Sequence, residues 1–220
     1  MATLERAFPI LRPAMKSATD PVTDPATGPA HRHDVPWQLD ARAGERLMLL
    51  PGQMYFGREA ASLRTLLGSC VAITLWHPAR RIGGMCHYLL PQRPRKSGDP
   101  LDGRYGDEAL HAMVQKLKLT RTDPAEYQAH LYGGADTMPE GGTLKFNVGE
   151  RNIEQGWTLI DRYGFQLQCI DVGEDIPRTV TLTLASGEVD MRRGTGHAPV
   201  HALPSATRAI APAARPSSRT

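Results

Sequence analysis

The chain has 220 residues, 40% of them hydrophobic and 22% charged, with a formal net charge of +3. This suits one ordinary globular domain, and no apolar run approaches the ~20 residues of a membrane-spanning helix. Three cysteines cannot complete a disulfide framework.

Residues 1–46 hold six prolines, six Lys+Arg and six Asp+Glu, with large apolar residues in no periodic pattern. They read as a disordered tail, because so little apolar surface cannot offset the entropy of ordering. The opening MATLERAFPILRPAMKS lacks the continuous apolar stretch of a secretory signal, which points to the cytoplasm and reduced thiols. Residues 191–220, with four prolines, five arginines and no acid, read as a second, basic tail. That tail carries the basic excess and leaves the expected domain, 47–190, at about −2. A nucleic-acid surface needs Lys and Arg clustered on a folded element, and none is visible. Membrane insertion has no segment to support it.

Within the domain, 47–50 and 53–56 read as short strands parted by Pro51-Gly52, and 65–67 leads into a tight turn at Gly68-Ser69. In 70–76, Val71, Ile73 and Leu75 alternate with Cys70, Ala72, Thr74 and Trp76, the period of a strand. Residues 77–80 form a turn, with Pro78 presetting φ, and 82–90 returns as the partner strand. Its Gly83-Gly84 allows a bulge or a close neighbour. Residues 91–106 are a polar loop. Leu110, Met113, Val114 and Leu117 then mark one helix face, with Asp107 as its N-cap. A strand at 129–132 follows, then a helix after Asn147 that buries Ile153, Trp157 and Ile160 and stops at Gly164. Strands at 165–171, 179–184 and 189–192 close the domain. Strands in hairpins outnumber helices, so the class is α+β.

The hairpin brings two chemically capable side chains together. Pairing 70–76 with 81–87 places Cys70 directly opposite His87, with Cβ atoms ~5 Å apart on one side of the sheet. Cys86 then faces Val71 on the opposite side, which disfavours a bridge between Cys70 and Cys86. Zinc needs three or four convergent ligands, and this pair supplies two. Two readings remain. Cys70 and His87 are a buried structural pair, or they are a nucleophile and its base, the imidazole lowering the thiol pKa. Backbone N–H groups after Gly68-Ser69 would then face a tetrahedral oxyanion. Alternation places Cys169 in FQLQCID with the core residues Phe165 and Leu167.

The segments TLLGSCVAITLWHP, IGGMCHYLLP, RYGDEAL, YGGADTM and NVGERN, in this order, resemble the chemoreceptor glutamine deamidase family, CheD. The resemblance runs from about Leu47 to Arg192. It implies an amidohydrolase that converts glutamine side chains of chemoreceptors to glutamate through a cysteine thioester, with release of ammonia. Cys70 matches the family's nucleophile, His87 its base and Thr65 its threonine. Thr65 stands five residues before the cysteine, where some members have six. The implied fold is two mixed β-sheets packed as a sandwich and flanked by helices, similar to toxin-type cysteine deamidases. No metal or other cofactor is implied. The implied partners are the cytoplasmic helical domain of a chemoreceptor as substrate and a CheC-type phosphatase, which also allows an adaptor role.

Overall fold

The computed structural model describes residues 37–136 and 147–194. Most of each expected tail, at 1–36 and 195–220, lies outside these residues, as does the end of YGGADTM. In chain order the elements are β1 (Arg46–Met48), β2 (Met54–Gly57), β3 (Ser62–Leu67), β4 (Val71–His77), β5 (Ile82–Tyr88), α1 (Gly106–Leu119), β6 (Gln128–Gly133), α2 (Val148–Tyr163), β7 (Gln166–Val172), β8 (Arg178–Thr183) and β9 (Val189–Arg193). They build two mixed sheets, ordered β2-β5-β4-β6-β7 and β1-β3-β8-β9. Each is antiparallel except for one parallel pair, β6 with β7 and β1 with β3. The class is α+β, as its strand pattern predicts.

The five-stranded sheet is the middle layer. On one face Val71, Ile73, Leu75, Cys86 and Tyr88 pack with Leu110, Met113, Leu117, Leu159 and Ile160 of the helices. On the other, Ala72, Met85 and Tyr132 meet Leu63, Leu67, Val180 and Leu182 of the four-stranded sheet. Two buried faces explain why β4 and β5 are apolar at almost every position. Trp37, Leu39 and Ala41, ahead of the boundary expected at 47, also pack on these cores.

The hairpin turn falls one residue later than the sequence suggests. His77 pairs with Ile82, and Arg81 takes the left-handed conformation (φ 48°) that closes residues 78–81. Every partner therefore moves by two: Ala72 faces His87, and Ile73 faces Cys86. A shift of two preserves faces, so Cys70 remains on the side of His87 and Cys86 on the helix side. The register has no bulge at Gly83-Gly84. Both glycines are close-approach positions, since a Cβ on Gly83 would meet the Leu75 carbonyl and one on Gly84 the Tyr55 carbonyl.

The helices differ from expectation in two details. Helix α1 buries Leu110, Met113, Val114 and Leu117, but its N-cap is Tyr105, and Asp107 lies in the first turn. Helix α2 is capped by Asn147, which accepts the Glu150 N–H at 3.1 Å, and ends at left-handed Gly164. Its buried stripe is Gly149, Asn152, Gly156, Leu159 and Ile160, while Trp157 is 52% exposed. The glycines decide the face. A Cβ on Gly149 would strike Gly134, and one on Gly156 would strike the Tyr88 hydroxyl and Leu131, so the helix lies tightest there. Cys169 is a further correction: it is exposed. Between Ala129 and His130 the β6 to β7 register slips, leaving Gln168 unpaired, and the alternation reverses beyond it. Leu167 and Ile170 thus share the core side, and Cys169 does not.

Candidate active site

Strand β5 turns His87 toward the four-stranded sheet, where it is 1% exposed. From the facing layer β3 presents Thr65, also buried, whose Oγ1 lies 2.7 Å from His87 Nδ1. The Thr65 hydroxyl donates to the Leu49 carbonyl at 2.8 Å. Its single hydrogen is thereby committed to an oxygen that only accepts, so Thr65 Oγ1 accepts from Nδ1–H. This fixes the tautomer and leaves the lone pair on Nε2. Nε2 is buried and has no hydrogen-bond partner among the described residues. Burial drives the His87 pKa down to about 4, and the nearby Leu49 carbonyl, which raises it, offsets only part of that. At neutral pH the ring is an uncharged base.

This shift has a stability consequence. The unfolded chain binds a proton at the ordinary histidine value of 6.5, whereas the folded chain resists protonation to about 4. The contribution is complete above 6.5 and is lost as the pH falls toward 4. Between neutrality and about pH 4.5 the protein is expected to lose roughly 2–3 kcal/mol through this group. Urea unfolding at both pH values checks it: His87→Gln should lack that part of the acid sensitivity, and equal sensitivity would refute the assignment.

Cys70 sits in the turn at 68–70 that carries the chain from β3 in one sheet to β4 in the other. Three contacts hold the turn. Gly134 N–H donates to the Cys70 carbonyl at 2.8 Å, Ala135 N–H to the Gly68 carbonyl at 2.9 Å, and Asn152 Nδ2 to the Ser69 carbonyl at 3.2 Å. Among the described residues no acceptor engages the Ser69 or Cys70 N–H. Cys70 is half-buried. It precedes by two residues Ala72, which faces His87 in the ladder, and so keeps to the same side of the sheet as His87. The two are not hydrogen-bonded, and burial raises the Cys70 thiol above its ordinary value. This corrects the expectation that the imidazole lowers the thiol pKa. Burial acts on both groups and favours the neutral pair. Cys86, wholly inside the helix-side core, is pushed up to about 12.

Two further groups escaped the sequence reading. Arg178, at the start of β8 and fully buried, donates from Nε to Asp171 at 2.6 Å and from Nη1 to the Gly173 and Ile176 carbonyls. Arg193 reaches the same carboxylate at 2.8 Å. Asn152 is the second, a buried amide in the stripe of α2. The available signal was its spacing: Asn152 falls in line with Gly149, Gly156 and Leu159, and a polar side chain on a buried stripe needs partners. Among the described residues, no group of three or more His, Cys, Asp or Glu side chains converges as a metal site would require. No described helix is long and apolar enough to cross a membrane.

A family model described as CheD chemotactic sensory transduction matches residues 89–193. Among relatives, "Probable chemoreceptor glutamine deamidase CheD 1" of Chromobacterium violaceum is 45% identical over 148 residues, 67% of this chain and 77% of that one. The "Probable chemoreceptor glutamine deamidase CheD" of Pseudomonas syringae pv. tomato is 43% identical, over 65% of this chain and 86% of its own. A namesake in Methanococcus maripaludis is 35% identical, over 66% and 92%. Among solved structures, hypothetical protein YfiH of Bacillus licheniformis matches 54% of this chain and 49% of its own length, at 11% identity and a TM-score of 0.32. Protein NMB0706 of Neisseria meningitidis matches 56% and 51%, at 12% identity and a TM-score of 0.29. This chain spans about half the length of both.

Proposed function

This chain belongs to the CheD family, and from that premise we propose that it hydrolyses glutamine side-chain amides of chemoreceptors, with Cys70 as nucleophile, His87 as base and Thr65 as the group that orients the base. The observation that carries the reading is the contact between Thr65 and His87. It commits Nδ1–H and leaves an Nε2 lone pair, without a partner among the described residues, on the face that also bears Cys70.

The chemistry runs from a neutral pair. As Cys70 Sγ bonds to the amide carbon, His87 Nε2 takes the thiol proton, so no free thiolate need form beforehand. The carbonyl oxygen becomes an oxyanion, for which the Ser69 and Cys70 N–H groups, engaged by no described acceptor, would be the donors. His87 returns the proton to the leaving nitrogen, the C–N bond breaks, ammonia departs and a thioester remains. Water then attacks the thioester carbon and gives its proton to Nε2. The C–S bond breaks, the thiol is restored and the product is glutamate.

Incubation with the cytoplasmic domain of a chemoreceptor is expected to release ammonia and to raise the mass of particular receptor peptides by the difference between amide and acid. Free glutamine should react poorly, because a side chain without its surrounding chain lacks remote contacts that position the amide. Equal specificity constants for free glutamine and receptor would replace the reading with a small-molecule amidase. Stable receptor binding without any mass change would favour an adaptor, such as one that works with a CheC-type phosphatase.

A further inference from the structure

Resting on that reading of the site, we infer that Asn152 is a positioning residue, whose side-chain amide clamps the nucleophile's turn to the end of the base's strand. The β4 to β5 ladder ends at Val71 paired with Tyr88. Beyond it the ladder stops: the Leu89 and Leu90 N–H groups turn to the Arg104 carbonyl, while the Cys70 carbonyl continues the β4 to β6 register at Gly134. Just where ladder bonds stop, Asn152 Nδ2 donates to the Ser69 carbonyl at 3.2 Å and to the Leu89 carbonyl at 2.8 Å. Ser69 immediately precedes Cys70, and Leu89 follows His87 by two. Both partners are carbonyl oxygens, which only accept, so the amide orientation is unambiguous.

Helix packing alone does not account for this residue. Asn152 is fully buried, and its Oδ1 has no partner among the described residues, which costs about 1–3 kcal/mol that an apolar side chain would avoid. Its neighbours hold it close. Tyr88 donates its hydroxyl to the Asn152 backbone carbonyl at 2.7 Å, and Gly149 and Gly156 let α2 lie against the sheet on either side. The two carbonyls that Asn152 joins belong to the residue before Cys70 and the second residue after His87, so the amide sets the separation of these two segments. The clamp fixes that separation while the ladder is absent, and a displacement of about 1 Å in such a geometry costs on the order of 10²-fold in rate.

The test compares the full-length protein with Asn152→Ala and Asn152→Leu by two independent readouts. The first, hydrogen exchange, needs no activity: the Gly134 and Ala135 amides, bonded to the turn, should exchange about tenfold faster in the variants, while β8 and β9 amides keep their rates. The second is turnover of receptor domain per titrated Cys70 thiol. Here kcat should fall about 10²-fold with KM little changed. His87→Ala should also cost far less in the Asn152→Ala background than in the unaltered protein, because a misplaced base has little left to lose. Unchanged exchange at Gly134 and Ala135 overturns the clamp. Faster exchange with unchanged kcat per thiol, or full additivity with His87→Ala, reduces Asn152 to a structural role and overturns the inference. A local exchange difference in a protein whose unaltered form releases no ammonia supports the clamp and overturns the proposed activity instead.

Discussion

Cys70→Ala is expected to abolish ammonia release from receptor glutamines, with a loss of about 10⁴-fold or more, because the proposed thioester forms on its sulfur. His87→Ala should lose about 10²–10⁴-fold, the range of a general acid–base group. Thr65→Val keeps the shape of β3 but removes the oxygen that holds Nδ1–H, freeing the ring to take the unproductive tautomer. Its loss should be smaller than that of His87→Ala and fall mainly on kcat. Cys86→Ala serves as the control, since Cys86 lies on the helix side of the sheet, and most of its activity should survive. Single-turnover ammonia release, normalised to folded protein, measures all four. Full turnover by Cys70→Ala would remove the mechanism. Loss on Cys86→Ala with folding intact would place the nucleophile on the wrong face.

Arg178→Ala is expected to destabilise the fold by about 3–5 kcal/mol, the cost of leaving one side of a buried charged network without its partner. Arg178 belongs to the four-stranded sheet and Asp171 to the five-stranded one, so their ion pair ties the two layers together. Removing the guanidinium strands the Gly173 and Ile176 carbonyls and leaves Asp171 to Arg193 alone. Burial pushes the Asp171 pKa up, and the hydrogen bonds from Arg193 and Arg178 more than offset it, so the net shift is downward. Arg178→Lys keeps the charge but not the planar fork and should fall between. Urea denaturation at neutral pH gives the values. A loss below about 1 kcal/mol for Arg178→Ala would mean the network is dispensable.

Most strands were legible in the chain because β-branched alternation and glycine or proline breaks act locally. Val71, Ile73 and Leu75 declare β4 whatever lies around it. The turn at 78–81 was harder to place, because only the left-handed Arg81 shows that His77 remains in the ladder. The face of α2 was misread because apolar periodicity rewards Trp157, whereas close packing rewards Gly149 and Gly156, which carry no hydrophobic signal. Cys169 was misplaced by a bulge that depends on the β6 partner and not on its own strand. At the site, the shared face of Cys70 and His87 followed from strand parity and survived the register change. The contact between Thr65 and His87 did not follow from any local rule. It joins two sheets, and only the resemblance singled Thr65 out.

That contact has a mechanical side. The proton on His87 is assigned by an atom belonging to a different layer, and Leu49, beside β1, anchors that atom in turn. The ring is therefore a gauge of how one sheet is seated on the other. A lateral slip of the four-stranded sheet by a fraction of a strand spacing would leave every ladder bond intact, yet uncouple Nδ1 from its acceptor. Residues that set this seating, such as Met85 and Leu182 in the seam, would thereby govern the proposed chemistry without touching it. Trimming them should slow the reaction by more than the loss of folded protein explains, and anything that shifted one sheet over the other would throttle the base without entering the active site.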